Sequence, residues 1–272
     1  MKNALTTWKW SILVVARSLL ALLAVSAVVA VGLYGAYRWL WFPAESAVYL
    51  MAGGILWGAL EFFVLVSVFA ATASAANDAA AVGAHSLQLP RLVRFSRSGW
   101  LRSAAFIFLA ILFIGGVHSL FSWVNSYSLE VASWLTFRSE KPVAQESAEA
   151  VLNWVENFLW VVVLGFLLGF LVTLTREGWR GALRAAPRLL ANSCWRTPFP
   201  TGLISVFVFG GLAYLLATWH PVVSPGFLDY SQAILRNGTA LLLTVAGWLF
   251  WIVALAHFSL ATGNPPHSSA AK

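Results

Sequence analysis

The stretch Gly54-Ile-Leu-Trp-Gly58-Ala-Leu-Glu61 lies inside an apolar run from about Ala47 to Ala73. Gly54 and Gly58 are four residues apart and Glu61 follows three later, so on a helix all three share one face. Small residues at that spacing let a second helix approach closely. A carboxyl group on the same face, far from any polar segment, costs several kcal/mol unless it is protonated or partnered. The run exceeds the ~20 residues needed to cross the hydrocarbon of a bilayer. Its reading as a membrane-spanning helix decides the fold class.

Composition carries that reading to the whole chain. Of the 272 residues 60% are hydrophobic and 10% charged, and the mean hydropathy is +0.79; an ordinary soluble domain is roughly 25% charged. Six apolar runs are present, at about 12–34, 47–73, 101–124, 151–174, 201–219 and 239–260. The expected fold is therefore all-α: a polytopic bundle of six transmembrane helices over residues 1–261, followed by a disordered tail, 262–272, rich in Gly, Pro and Ser. Lys2 and Lys9 ahead of the first run, with Ala-Val-Ser-Ala at 24–27, resemble a signal peptide, but Arg17 interrupts the run and apolar sequence continues through Leu33. An uncleaved signal-anchor is expected.

Charge placement orients the bundle. Lys2, Lys9, Arg91, Arg94, Arg97, Arg102, Arg176, Arg180, Arg184, Arg188, Arg196 and Lys272 fall at the N-terminus, after runs two and four, or at the C-terminus. The opposite side holds Arg38, Arg138, Lys141 and Arg236. The positive-inside rule predicts cytoplasmic termini (N-in/C-in), and a bacterial inner membrane is the expected location. The net charge of +7 therefore points to membrane lipids, with Arg91, Arg94, Arg97, Arg180, Arg184 and Arg188 meeting anionic headgroups or a protein partner, and not to nucleic acid. Trp8, Trp10, Trp100, Trp179 and Trp195 are expected at the inner interface, and Trp39, Trp41, Trp123, Trp154 and Trp219 near the outer one.

Pro90-Arg91-Leu92, Trp100 and Gly115-Gly116 are matched at equal spacing from each tryptophan to its glycine pair by Pro187-Arg188-Leu189, Trp195 and Gly210-Gly211. An internal repeat of helical hairpins or chance composition explains the match. Pro142 is expected to open a helix running into span four, and Glu146, Glu149, Asn153 and Glu156 then recur along it as an acidic stripe. The stripe reads as a solvated face or as a cation-attracting vestibule with Glu156 deepest.

Measured from the inner end of each span at 1.5 Å per residue, Glu61 lies about 20 Å up, His118 roughly 25 Å and Tyr214 about 20 Å. They form one polar layer if their helices are neighbours and face one another. Arg17 lies roughly 10 Å below Glu61 on the same scale and is expected to snorkel to the headgroups. Gly165-Phe-Leu-Leu-Gly169 is a second close-packing surface. His118, His220 and His257 raise a bis-histidine haem reading, but His220 borders Pro221 at a span end; packing histidines and no cofactor are expected.

Lone Cys194 excludes an internal disulfide and a cysteine metal cluster. Phosphate-binding loops, HExxH and a GxSxG with triad partners are missing, so no catalytic residue is assigned and an enzyme is the minority reading. With its span count, orientation and the basic segment Arg180–Pro187, the layout is similar to that of small ABC-type permease subunits, which dock an ATPase through short coupling helices. The likeness is one of architecture, because the family's Glu-Ala-Ala…Gly signature is not present in that segment. The leading expectation is a permease or channel-like component with Glu61 in a translocation or proton-coupling layer. The second is an interaction subunit using glycine faces and basic loops.

Overall fold

The computed structural model describes residues 2–40, 47–88, 90, 92, 97–196, 198–219 and 227–262. Among them the regular structure is entirely helical: α1 Lys2–Arg17, α2 Leu19–Leu40, α3 Ala47–Val82, α4 Arg97–Asn125, α5 Ser128–Ser139, α6 Gln145–Trp195, α7 Pro198–Leu203, a π-helical segment Ile204–Gly210, α8 Gly211–Thr218 and α9 Phe227–Thr262. Six stretches are long and apolar enough to cross a membrane: Leu19–Arg38, Ala47–Val82, Gly99–Asn125, Gln145–Cys194, Pro198–Thr218 and Ser231–Leu260. Together with large exposed apolar side chains such as Leu20 and Leu56, which water would not tolerate in such number, they mark an integral membrane protein.

The core sits toward one end of the bundle. Its main contributors are 66–79 of α3, 161–174 of α6 and 245–256 of α9, where Phe250, Leu171, Leu174, Leu249 and Ile252 are fully buried. Arg17, Arg102, Arg176 and Arg180 stand at this end, which is called the basic end below. Toward the far end the helices expose most of their apolar surface, as lipid-solvated helices do.

Three boundaries differ from the hydropathy reading, each for a local reason. The first run does not begin at Ile12, because the helix breaks at Ser18. The Ser18 hydroxyl donates to the Val14 carbonyl (2.5 Å) and accepts the Leu87 N–H (2.7 Å), bonds that compete with helix continuation. Arg17 therefore ends α1 and is not inside a span.

The second difference lies between runs four and five. The helix started at Gln145 runs to Gly178, whose φ of 71° and ψ of −173° belong to a region open essentially to glycine. There the chain turns back. A Cβ on Gly169 would meet Leu189 at 3.4 Å, and one on Gly165 would meet Ser193 at 3.7 Å, so residues 179–195 return antiparallel along 145–177. The predicted basic loop holding Arg180, Arg184 and Arg188 is thus a helical return arm, and the likeness to a permease coupling loop fails at that segment. The hairpin repeat fails with it: Trp100 opens α4 whereas Trp195 closes α6, and Gly210-Gly211 joins a π-helical segment to α8 whereas Gly115-Gly116 sits within α4.

Third, the segment between runs three and four carries a helix of its own ahead of Pro142, α5 at 128–139. Pro142 stays outside α6, whose N-cap is Ala144.

Polar bonds clamp the helices where apolar packing alone lacks direction. Asn77 Nδ2 donates to the Val172 carbonyl (2.8 Å) and to Thr175 Oγ1 (2.9 Å), tying α3 to α6. Ser205 donates to the Gly247 carbonyl (2.7 Å), which the absence of a side chain at Gly247 permits: a Cβ there would stand 2.6 Å from Phe209 Cβ. Arg176 donates to Ser259 on α9 (3.3 Å) and pairs with Glu177.

Candidate functional site

The site is built where α2 and α3 pair. They run antiparallel, with Trp57 over Gly35 and Glu61 over Gly32. A Cβ on Gly35 would fall 2.2 Å from Trp57 Cζ2, and one on Gly32 would lie 3.1 Å from Glu61 Oε2. The bare backbone of α2, with glycines three residues apart, is therefore the seat for both side chains. Sequence reading placed the close-approach glycines on α3, at Gly54 and Gly58. Gly58 instead opens to empty space, with nothing within 4 Å of an added Cβ. The signal that would have found the true seat was Gly32-x-x-Gly35 on the preceding run, read jointly with Trp57 and Glu61.

Around the Glu61 carboxyl is a cleft of about 380 Å³ lined by Ala27, Val28, Val31, Gly32, Trp57, Leu60, Glu61 and Val64. Every wall but the carboxyl and the indole is aliphatic or glycine. Glu61 is half-buried and has no hydrogen bond or ion pair among the described residues. The indole Nε1 of Trp57 is buried beside it and likewise unpartnered. Opposite Gly32, the carboxyl stands about 20 Å along α2 from Leu19 and about 9 Å from Arg38 at 1.5 Å per residue. Arg17, beyond the break at Ser18, is out of reach.

The expected polar layer with His118 and Tyr214 is not assembled. Glu61 turns toward α2, while His118 lies on the exposed side of α4 and Tyr214 is 68% exposed on α8. Both hydropathy and depth allowed a layer; the helix rotations forbid it.

Glu156 is engaged. Its two oxygens accept from Asn125 Nδ2 (3.4 Å) and Trp160 Nε1 (3.2 Å), and Glu149 accepts from Ser128 Oγ (3.1 Å) and Gln145 Nε2 (2.8 Å). The acidic stripe thus fastens α4 and α5 to α6, with Glu146 left exposed.

The histidines of the haem reading are not brought together. His118 is about 31 Å along α4 from Arg97, whereas His257 lies near the basic end, 3.2 Å from Thr7 Oγ1 and against the Trp10 ring at 4.8 Å. His220 lies outside the described residues. Among those residues no group of three or more His, Cys, Asp or Glu is placed to hold a metal.

Gly165 and Gly169 face the return arm, and Gly165 also faces Trp251, 3.3 Å from an added Cβ. Arg91 and Arg94 lie outside the described residues, Arg97 opens α4, and Arg180, Arg184 and Arg188 are exposed on the return arm. Of the tryptophans assigned to the inner interface, Trp8 donates to Thr201 (2.8 Å), Trp100 donates to Ser67 (3.1 Å) and Trp179 packs on Phe106 and Phe170, all within the protein. Trp123, Trp154 and Trp219 at the far end are exposed.

Comparison with protein families, curated proteins and solved structures finds no match to this chain.

Proposed function

We propose that this membrane protein is a permease or channel-like transport component in which Glu61 takes up and releases a proton or small cation. The orientation with both termini cytoplasmic, in a bacterial inner membrane, is part of the proposal. One observation carries it: a carboxyl held in an aliphatic cleft between two spans, with no partner among the described residues. An acid in that setting is costly, and a role in proton or ion handling is the usual reason for keeping one. The cleft is open at its side, between the exposed side chains of Val28, Val31 and Leu60, on a surface that lipid or a partner helix would cover.

The experiment is cation and proton flux into vesicles containing the purified protein. Glu61→Gln is expected to abolish flux and Glu61→Asp to retain part of it, with expression and monodispersity unchanged. Undiminished flux through Glu61→Gln removes the residue from the mechanism.

An interaction subunit is the second reading. Gly58, Gly115, Gly116, Gly211 and Gly238 each face open space, as helix faces awaiting a partner helix do. Exposed Arg180, Arg184 and Arg188 would then meet anionic lipid or a protein partner such as an ATPase. A stable complex on mild detergent extraction, lost in Gly58→Leu or Gly115→Leu, supports this reading; a lone monodisperse protein counts against it.

A further inference from the structure

We infer that α1 is a surface anchor lying in the headgroup layer, where its outward face binds an anionic lipid surface. It carries apolar side chains on both faces. The inward face carries Thr7, Ser11, Val14 and Val15, all buried, and the hydroxyls are satisfied there: Thr7 at His257 Nδ1 (3.2 Å) and Ser11 at the Thr7 carbonyl (2.8 Å). The outward face carries Leu5, Ile12 and Leu13, 50%, 56% and 37% exposed. Lys9 lies within this apolar stripe and Arg17 at its edge, both exposed and neither ion-paired among the described residues.

The position of α1 fits an interface and not a crossing. At the basic end its last residue adjoins Ser18 and the start of α2, and Thr7 and Trp10 meet His257 near the end of α9, while the Trp8 indole reaches further up the bundle to Thr201 on α7. At sixteen residues α1 is shorter than the ~20 a crossing needs, and it is not one of the six long apolar stretches. Its aliphatic face then dips into the acyl boundary, while Lys9 and Arg17 reach the phosphates along their own methylene stems. Charge complementarity selects anionic lipid as the occupant, ahead of a second protein copy.

The test uses the full chain in a Cys194→Ser background, with Ile12→Cys carrying an environment-sensitive fluorophore and Leu5→Cys as a second position. Both sites face outward, so neither label enters the core. Vesicles are phosphatidylcholine alone or an equal mixture with phosphatidylglycerol, containing lipids with a nitroxide near the headgroup or at the chain end. Headgroup-level nitroxide is expected to quench more strongly. Amide exchange across residues 4–16 is expected to be slower in the anionic mixture. Lys9→Gln and Arg17→Gln should each remove about fivefold of that protection, the worth of one basic residue near a charged surface, and Lys9→Arg should keep it. Stronger quenching by chain-end nitroxide, quenching only by aqueous iodide, or shielding from all three quenchers overturns the anchor. Equal exchange in the two lipid mixtures overturns its preference for anionic lipid.

Discussion

Glu61 and Trp57 owe their placement to what is missing on the helix opposite. At Gly35 the indole occupies the space of a Cβ, and Trp57 cannot stay where it is if one is added. Gly35→Ala is therefore expected to lower stability by about 1–3 kcal/mol, the usual cost of overpacking, read as earlier thermal unfolding in detergent. Gly58→Ala is the control. It meets nothing, so stability should hold or rise by up to ~1 kcal/mol from helix propensity; a large loss there would restore Gly58 as a packing position. At Gly32 the nearest atom is the flexible end of Glu61, so a substitution moves the acid without breaking the helix pair. A hydrophobic carbodiimide should modify Glu61 in the wild-type protein, detected by mass spectrometry. Gly32→Val should reduce that labelling severalfold while the protein remains folded. Unchanged labelling would mean that the carboxyl is reached from a side other than the cleft. The sequence announced an intramembrane acid beside small residues, because polarity and composition survive without a structure. It did not announce which helix supplied the seat, since that depends on the rotation of α2 against α3, and each residue there is apolar on every reading.

At the scale of elements the decisive position is Gly178. Hydropathy sees an apolar run ending in Arg176 and a basic stretch after it, which reads equally well as a span followed by a loop. The backbone at one residue converts that pattern into a hairpin whose second arm covers Gly165 and Gly169. Arg102 lies over the turn, 3.1 Å from where a Gly178 Cβ would be, and its charge complements the carbonyl-rich end of the first arm. Gly178→Ala is expected to cost about 1–3 kcal/mol in backbone strain, with proteolysis between 179 and 195 rising in step as the return arm detaches. Asn77→Ala removes two interhelical bonds but leaves the hairpin intact. Its cost should stay below ~2 kcal/mol, because such bonds in membranes average well under 1 kcal/mol each. If Asn77→Ala proves the more damaging, the clamp between α3 and α6 holds the bundle more firmly than the hairpin does. The break at Ser18 was hidden for a related reason. A serine inside an apolar run is unremarkable, and only its acceptance of the distant Leu87 N–H shows that the chain changes direction there.

For the whole molecule, the buried end and the exposed end have different solvents. Toward the basic end α1 and the return arm wrap α3, α6 and α9, whereas at the far end Trp123, Trp154 and Trp219 stand exposed, an arrangement suited to an interfacial belt. Six crossings, one for each long apolar stretch, would place the N-terminus and the end of α9 on one side whichever way the bundle is inserted, and α5 on the other. The six apolar helices were legible in the sequence because they depend only on hydropathy, and the parity is the expectation drawn from their number. The sidedness rests on the lysines and arginines, several of which the fold has moved from loops onto helices. Both are tested by one measurement in a Cys194→Ser background. Lys2→Cys and Ser133→Cys, at exposed or terminal positions, are labelled in intact cells with a membrane-impermeant maleimide. Ser133→Cys should react from outside, and Lys2→Cys only after permeabilisation. The reverse pattern would keep six crossings and invert the orientation, showing that arginines carried on the return arm no longer count toward it. Equal labelling of both positions from outside would break the parity itself, and with it the assignment of α6 and the run from α7 to α8 as two separate crossings.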